Sequence, residues 1–146
     1  MNAEIVKQLS VITEEEQRIL EGQKNINKTI YTKRKELVVD SSLFLDKGKL
    51  IQVRTHTRFV HFPKHRHNYV EVIYMCKGTT THIIDGNEVV LGEGDLLFLN
   101  QNAVQEILPA GKDDIAINFI IQPQFFDRTF EMIGADDNLL PNGKHH

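Results

Sequence analysis

Two histidines and a glutamate occupy a spacing at which all three could act on one bound group. They are His65, His67 and Glu71, in the stretch KHRHNYVEVIYMCKG at residues 64–78. Imidazole and carboxylate groups are ligands for first-row transition metals, and they also form hydrogen bonds with polar molecules. On a strand, residues two apart point to the same face, so both histidines can reach one point. The spacing therefore predicts a site for a metal ion or for a polar ligand.

Glu71 can join the two histidines only if the chain bends after them. In a straight strand it would lie about 20 Å from His65, at about 3.3 Å per residue. Asn68 lies between them and is a residue type that tolerates a tight bend, so we predict a turn there. The alternative interpretation is an exposed loop, because polar or turn-forming residues such as Pro63 and Lys64 surround the histidine pair.

The secondary structure predicted to position these residues changes from helix to β-strand near residue 45. Before it, Thr13 and Glu16 form a capping-box pattern that predicts a helix start, and Gly22 is a plausible stop. A short strand is predicted around residues 37–39. From Leu50 onward, short runs rich in β-branched and aromatic residues predict eight strands: LIQVRTH, RFVHF, YVEVIYM, TTTHII, NEVVL, DLLFLN, EILPA and IAINFII.

These strands are too closely spaced to leave room for helices between them. The DG dipeptide at 85–86 predicts a two-residue hairpin, and QFFDRTFEMIG after Pro123 has the apolar spacing of a short helix. We therefore predict an all-β fold, an antiparallel sandwich or small barrel with helical material at both ends. The predicted division is a helical N-terminal arm and lead-in at 1–44, a barrel at 45–124, and a short helix and tail at 125–146.

Composition narrows the class of protein. The 146-residue chain has a net charge of −3, which argues against DNA binding by this chain alone. The one basic cluster, residues 33–35, is expected to be a solvated loop. A single cysteine excludes an internal disulfide and fits a cytoplasmic location, and no apolar stretch is long enough to span a membrane.

The stretch around the histidines resembles the first motif of the cupin family, HxH-x3-E-x6-G, with His65, His67, Glu71 and Gly78 in the motif positions. A second cupin motif, G-x5-P-x-G-x2-H-x3-N, is resembled by GDLLFLNQNAVQEILP from residue 94. The resemblance implies a double-stranded β-helix, or jelly-roll barrel. The second motif is altered: Gln105 stands in place of the histidine that is the fourth metal ligand, and Asn100, Asn102 and Pro109 also depart from it.

A narrower resemblance covers nearly the whole chain. HTRFVHFPKHRHNYVEVIYMCKGTTTHIIDG, GDLLFLNQNAVQEI and DDIAINFIIQPQFF are similar to the N-terminal sensing domain of AraC-family transcription regulators from Gram-positive bacteria. In that family a cupin barrel binds a small effector, often a sugar, and C-terminal helix-turn-helix units bind DNA. The resemblance implies a regulatory, non-enzymatic domain. DNA would be a partner only through a helix-turn-helix domain that this chain lacks.

The resemblance implies that the motif residues hydrogen-bond to a sugar or another small polar metabolite. The expected ligand-binding residues are His65, His67, Glu71, Gln105, His82 and Tyr69. No cofactor is expected, although the first four of these could hold a weakly bound divalent transition metal. The alternative is a small metal-dependent cupin enzyme, an isomerase or a dioxygenase. A homodimer is also expected to be possible, through the barrel surface or the C-terminal phenylalanines.

Some positions keep two interpretations. His82 could line the cavity, or it could lie on the surface of a hairpin. Arg54, His56 and Arg58 alternate along VRTHTRF and share a face, which could meet an anionic effector or form a solvated edge. We favour the solvated edge.

Overall fold

Strands predominate from residue 38 onward in the computed structural model of the chain, which describes residues 2–32, 38–43 and 48–127. Alternation of apolar and polar residues gives most strands one buried face. The strands in the described residues are β1 (Val38–Val39), β2 (Ile51–Thr55), β3 (Phe62–His67), β4 (Val70–Lys77), β5 (Thr80–Ile84), β6 (Asn87–Leu91), β7 (Leu96–Leu99), β8 (Gln105–Ile107) and β9 (Ile115–Ile121).

The strands form two sheets. One has the order β1-β3-β8-β5-β6 and the other the order β2-β9-β4-β7. Every pairing between the described strands is antiparallel except that of β1 with β3, which is parallel. The chain passes repeatedly from one sheet to the other, as expected of a jelly roll. The predicted all-β jelly-roll fold is confirmed, and the parallel β1 shows that the lead-in segment joins the barrel.

Three short α-helices precede the barrel among the described residues: α1 (Ala3–Leu9), α2 (Glu14–Leu20) and α3 (Lys28–Tyr31). The predicted capping box is present, because the Thr13 side chain accepts from the Glu16 amide and the Glu16 carboxylate accepts from the Thr13 amide. Gly22 follows the end of α2 with φ of 125°, a conformation that glycine adopts readily. Both predictions about this helix are confirmed.

One predicted strand is wrong. RFVHF, residues 58–62, is not a strand except at Phe62, where β3 begins. Phe59 has φ of 72°, outside the extended region, and its amide donates to the Ala110 carbonyl. An aromatic residue rarely adopts this conformation, so the β-rich composition of the stretch was misleading. The predicted DG hairpin is confirmed: Asp85 and Gly86 both have positive φ and connect β5 to β6.

The hydrophobic core has two parts. One joins the arm to the barrel and includes Ile26, Tyr31, Phe62, Ile107 and Ile120. The other fills the opposite end of the barrel and is formed by Ile73, Met75, Leu91, Leu99, Ala103 and Ala116. The polar residues of the motif lie beside the first part, so the arm closes the end of the barrel where they are found.

Two predicted features lie partly or wholly outside the described residues. Residues 123–127 are helical, in agreement with the start of the predicted C-terminal helix, and the rest of it, from residue 128, is not among the described residues. The basic cluster at 33–35 is also outside them. In the part of the chain that the structure describes, no helix is long and apolar enough to cross a membrane.

Candidate functional site

Strand β3 and the turn after it position the first-motif residues His65, His67 and Glu71 inside the barrel. His65 and His67 are buried while Lys64 and Arg66 between and beside them are exposed, so the two imidazoles share the inner face as predicted. The exposed-loop interpretation is wrong.

The chain turns at Asn68 and re-enters the barrel as β4, which places Glu71 on an inner face as well. The Asn68 side chain fixes this turn, because its Oδ1 accepts from the Ser41 amide at 2.8 Å. The backbone N–H of Asn68 donates to the Val39 carbonyl at 3.1 Å. The predicted bend is confirmed, and the lead-in segment holds it in place.

Gln105 and His82 lie on neighbouring strands of the five-stranded sheet. Gln105 is directly opposite His65 across the β3–β8 pair. Its Nε2 lies 3.0 Å from His82 Nδ1, and His82 Nε2 lies 2.8 Å from Thr80 Oγ1. His82 is fully buried, so the surface alternative for this residue is wrong.

A small cavity lies between the two sheets at the arm end of the barrel. The space open to the centre of a water-sized sphere is about 30 Å³, enough for one or two water molecules. Four of the six predicted ligand-binding residues line it: His65, Tyr69, Glu71 and Gln105. The other two stand behind this wall: the His67 ring stacks on Tyr69 with centroids 4.6 Å apart, and His82 bonds to Gln105.

The cavity also has polar lining residues that the sequence analysis did not identify. These are Tyr31 from the arm, Thr55 and Thr57, and Asn118 on β9. Asn118 could have been found, because it is the one polar residue in the apolar run IAINFII. Tyr31 could not, because only the tertiary structure places the arm over the barrel.

The solvated-edge interpretation of VRTHTRF is wrong for two of its three residues. His56 and Arg58 are buried, and Arg54 and His56 line the cavity. Arg58 turns away from the cavity to the Glu16 carboxylate at the start of α2, with Nε 2.7 Å from Oε2. The short loop after β2 therefore faces the arm, which shields it from water.

Burial keeps the imidazoles that line the cavity, and His82 behind them, neutral. It lowers the pKa of His65 to about 4, against the opposing effect of a hydrogen bond to the Pro63 carbonyl. Burial also lowers the pKa of His56 to about 4 and that of His82 to about 3. For Glu71, burial raises the pKa, although His67, Tyr69 and Arg54 act in the opposite direction. These rings therefore act near neutral pH as hydrogen-bonding groups and not as cations.

Some buried polar atoms of this region have no hydrogen-bond partner among the described residues. They are His67 Nε2, Gln105 Oε1 and Asn118 Oδ1. Buried polar groups are nearly always paired, because an unpaired one costs about 1–3 kcal/mol. Gln105 and Asn118 line the cavity, so a bound molecule or water there would satisfy them.

The motif residues do not have the arrangement of a metal site. Among the described residues, no three histidine, cysteine, aspartate or glutamate side chains are grouped so that they could hold a metal ion. The His65 and His67 ring centroids are 5.9 Å apart, and His65 lines the cavity whereas His67 does not. Gln105, which offers a neutral amide, takes the fourth ligand's place.

Comparison with known proteins assigns this chain to a family. The family model for the AraC-like ligand binding domain matches residues 50–139, more than half of the chain. No curated protein matches the chain.

Solved structures similar to the chain have low sequence identity, and some of them are described as cupins. An RmlC-like cupin from Shewanella frigidimarina NCIMB 400 has 21% identity over 52% of this chain and 71% of its own, with a TM-score of 0.43. A cupin protein from Bacteroides fragilis has 21% identity over 51% and 68%, with a TM-score of 0.40. A DMSP lyase from Ruegeria pomeroyi DSS-3 has 18% identity over 50% of this chain and 38% of its own, with a TM-score of 0.42. The family match and the two-sheet topology together show that the chain belongs to the family of AraC-like ligand-binding domains and has the cupin jelly-roll fold.

Proposed function

We propose that this chain is the effector-binding domain of an AraC-type transcription regulator, which binds a sugar or another small polar metabolite without turning it over. The observation that carries the proposal is the polar cavity at the arm end of the barrel, where buried Gln105 Oε1 and Asn118 Oδ1 have no hydrogen-bond partner in the described part of the chain. The DNA partner would be contacted by a helix-turn-helix domain outside this chain.

The size of the cavity implies that binding changes the position of the arm. A space of about 30 Å³ does not admit a sugar, so the wall must move. Tyr31 is the arm residue in this wall, and its hydroxyl bonds to the Glu15 carboxylate at 2.6 Å. An effector that displaces Tyr31 would therefore disturb α2 and α3, and a DNA-binding domain could respond to the difference between the two states.

Ligand screening by thermal shift tests the binding step. A panel of sugars, polyols and small acids should contain at least one compound that raises the unfolding midpoint, and Gln105→Met should abolish this rise. Val90→Ser, an exposed position on β6, is the matched control and should keep it. If no polar metabolite stabilises the wild-type protein, the proposed function is wrong.

Limited proteolysis tests the arm step separately. Cleavage within residues 2–32 should change in rate when the stabilising compound is present at saturation, because Tyr31 has moved. Identical cleavage with and without the compound would show that binding leaves the arm in place.

Elemental analysis distinguishes this proposal from a metal-dependent cupin enzyme, the alternative that the His65, His67 and Glu71 motif raises. Protein purified without a chelator should contain far less than one equivalent of Fe, Mn, Ni or Zn. Gln105→His restores the fourth ligand type. We expect only a small gain in metal affinity, because His67 does not line the cavity with His65 and Glu71. Stoichiometric metal that is lost in His65→Ala would favour the enzyme.

A further inference from the structure

We propose that a buried hydrogen-bond chain from Met75 through Thr80 and His82 fixes Gln105 as an acceptor in the cavity wall, so that the site selects an uncharged ligand that brings its own hydrogen-bond donors. The inference rests on the proposed function for the presence of a ligand. The donor and acceptor directions in the hydrogen-bond chain can be tested without a ligand.

The donor-to-acceptor direction of this hydrogen-bond chain follows from the Met75 thioether at its end. Thr80 Oγ1 lies 3.4 Å from Met75 Sδ, and a thioether has no proton, so the Thr80 hydroxyl donates to sulfur. The Thr80 oxygen must then accept from His82 Nε2, at 2.8 Å. A neutral His82 that carries its proton on Nε2 has a lone pair on Nδ1. That lone pair accepts from Gln105 Nε2 at 3.0 Å.

Because the Gln105 amide nitrogen is bound to His82, the amide oxygen is left for the cavity. This is the Oε1 atom that has no partner among the described residues, on a side chain that is fully buried. His82 does not line the cavity, so its role is that of a positioning residue. It determines which end of the Gln105 amide a ligand meets.

His65, on the strand next to Gln105, also offers a hydrogen-bond acceptor. His65 lies opposite Gln105 on the adjacent strand, and its Nδ1 is 2.8 Å from the Pro63 carbonyl. A carbonyl can only accept, so Nδ1 carries the proton and Nε2 of the neutral ring is an acceptor. Asn118 Oδ1, on the opposite sheet, is another acceptor without a partner in the described residues. A ligand between these groups must supply O–H or N–H donors.

The charges around the cavity disfavour an anion. Among the described lining residues, Arg54 is the one side chain with a permanent positive charge. Glu71 is close enough for Arg54 to oppose the rise in its pKa, so the positive charge already has a carboxyl group beside it. An anionic ligand would meet acceptor atoms and the Glu71 carboxyl group, and burying an unpaired charge is costly. A polyol or an amide satisfies the acceptors without this cost.

Nitrogen NMR of the imidazole rings tests the hydrogen-bond chain in the wild-type protein without added ligand. Long-range proton–nitrogen spectra identify which ring nitrogen carries the proton, and His65→Gln and His82→Gln assign the two rings. We expect the Nε2–H tautomer at His82 and the Nδ1–H tautomer at His65. The opposite tautomer at either ring would overturn the inference, whether or not an effector is ever found.

Gln105→Glu provides a variant test of the same chain. A carboxylate cannot donate to His82 Nδ1, so His82 should change to the Nδ1–H tautomer, and the Thr80 hydroxyl should then donate to Nε2. Gln105→Met is the control, because it removes the amide but leaves Thr80 as the acceptor, and His82 should keep the Nε2–H tautomer. An unchanged His82 tautomer in Gln105→Glu would contradict the proposed chain.

Three probes of nearly equal size test the ligand class. Acetamide offers N–H donors, acetate is an anion with acceptors alone, and acetone is neutral with an acceptor alone. At equal concentration, acetamide should shift the His65 and Gln105 side-chain resonances at least threefold more than acetate or acetone, and Gln105→Met should remove the difference. Equal shifts for the three probes, or no shift with any of them, would overturn the ligand class.

Failure of the metabolite screen with the expected tautomers intact would reject the proposed function but would not contradict the hydrogen-bond chain.

Discussion

At the scale of the residue, the main property of the site is that burial makes histidine a neutral hydrogen-bonding group. His56, His65 and His82 come from three separate parts of the chain and are packed into one barrel end. The His56 and His82 ring centroids are 6.3 Å apart. Burial lowers the pKa of both rings, because a proton there would be poorly solvated; the positive charge of Arg58 lowers that of His56 further, and His56 and His65 lower that of His82 further.

These lowered pKa values predict a loss of stability in mild acid. The unfolded chain takes up protons at its histidines near pH 6.5, while the folded chain does not do so until about pH 4. The free energy of unfolding should therefore fall as the pH falls through this range, by up to about 1.4 kcal/mol per pH unit for each such histidine. Glu71, with a raised pKa, acts in the opposite direction.

Urea denaturation at several pH values between 7 and 4.5 measures this effect. His56→Gln should reduce the slope of unfolding free energy against pH, because one proton-binding difference is removed. The same slope in wild type and His56→Gln would show that the His56 ring titrates normally in the folded protein.

At the scale of the element, the arm is attached to the barrel by buried polar contacts as well as by apolar packing. Arg58 donates to both Glu16 carboxylate oxygens, and it also donates to the Ser10 and Lys112 carbonyls. Burial by itself would raise the pKa of Glu16, but the hydrogen bonds from Arg58 and Thr13 outweigh it and hold that pKa below its ordinary value. One carboxylate thus caps α2 and fixes it to the barrel.

Breaking this ion pair on one side should be costly. Arg58→Met should destabilise the protein by about 3–5 kcal/mol, because it leaves the Glu16 carboxylate buried without its partner. The double variant Glu16→Gln/Arg58→Met should lose less than the sum of the two single losses, since no unpaired charge remains. Additive losses in chemical denaturation would indicate that the two groups do not interact.

Glycine at the end of the first motif has a separate structural requirement. Gly78 has φ of 74°, and a Cβ atom there would lie 2.8 Å from the Asp113 carbonyl oxygen and even closer to the Asp114 side chain. Gly86 has a similar φ of 85° but nothing within 4 Å of that position. The two glycines therefore separate backbone strain from steric overlap.

Alanine at these two positions should have unequal effects. Gly86→Ala should cost about 1 kcal/mol, from the left-handed conformation alone. Gly78→Ala should cost at least about 1 kcal/mol more, because the Asp113–Asp114 backbone must also shift. Thermal or urea unfolding of both variants measures the difference, and equal losses would show that the surrounding loop yields freely.

At the scale of the whole molecule, the four-stranded sheet has polar residues inside and apolar residues outside near the cavity. Glu71 and Asn118 face inward, while the outer face carries Leu96 and Phe98, with side chains 65% and 61% exposed. Phe126 of the helical segment contacts the edge of this face, with its ring centroid 6.5 Å from that of Phe98. Large exposed apolar patches commonly mark interaction surfaces.

If the predicted homodimer forms, we expect this outer face to form it. Phe98→Lys should then increase the dissociation constant of the dimer at least tenfold in sedimentation equilibrium. Val90→Lys is the control, because Val90 is also an apolar residue, 57% exposed, but lies on the edge strand of the other sheet. Dissociation by the control variant instead would place the interface on the five-stranded sheet.

The sequence by itself determined the antiparallel all-β architecture, most of its strands, the α2 capping box, the Asp85–Gly86 hairpin and the bend at Asn68. All of these depend on local rules: the alternation of side chains, the capping pattern and residues that tolerate positive φ or tight turns. Recognition of the family, and of the jelly roll that the family implies, came from linear motifs. The local rules failed at Phe59, where contacts distant in sequence hold an aromatic residue in a conformation that its type disfavours.

Only the tertiary structure decided how the candidate site is assembled. In the tertiary structure, Tyr31 of the arm lies over the cavity and Arg58 is buried against Glu16. His67 and His82 lie behind the residues that line the cavity. These contacts join residues far apart in the chain, and their energies depend on burial and on hydrogen-bond direction. A sequence specifies which groups can donate or accept. Which of them face the same cavity, and which are left without a partner, depends on how the sheets and the arm pack together.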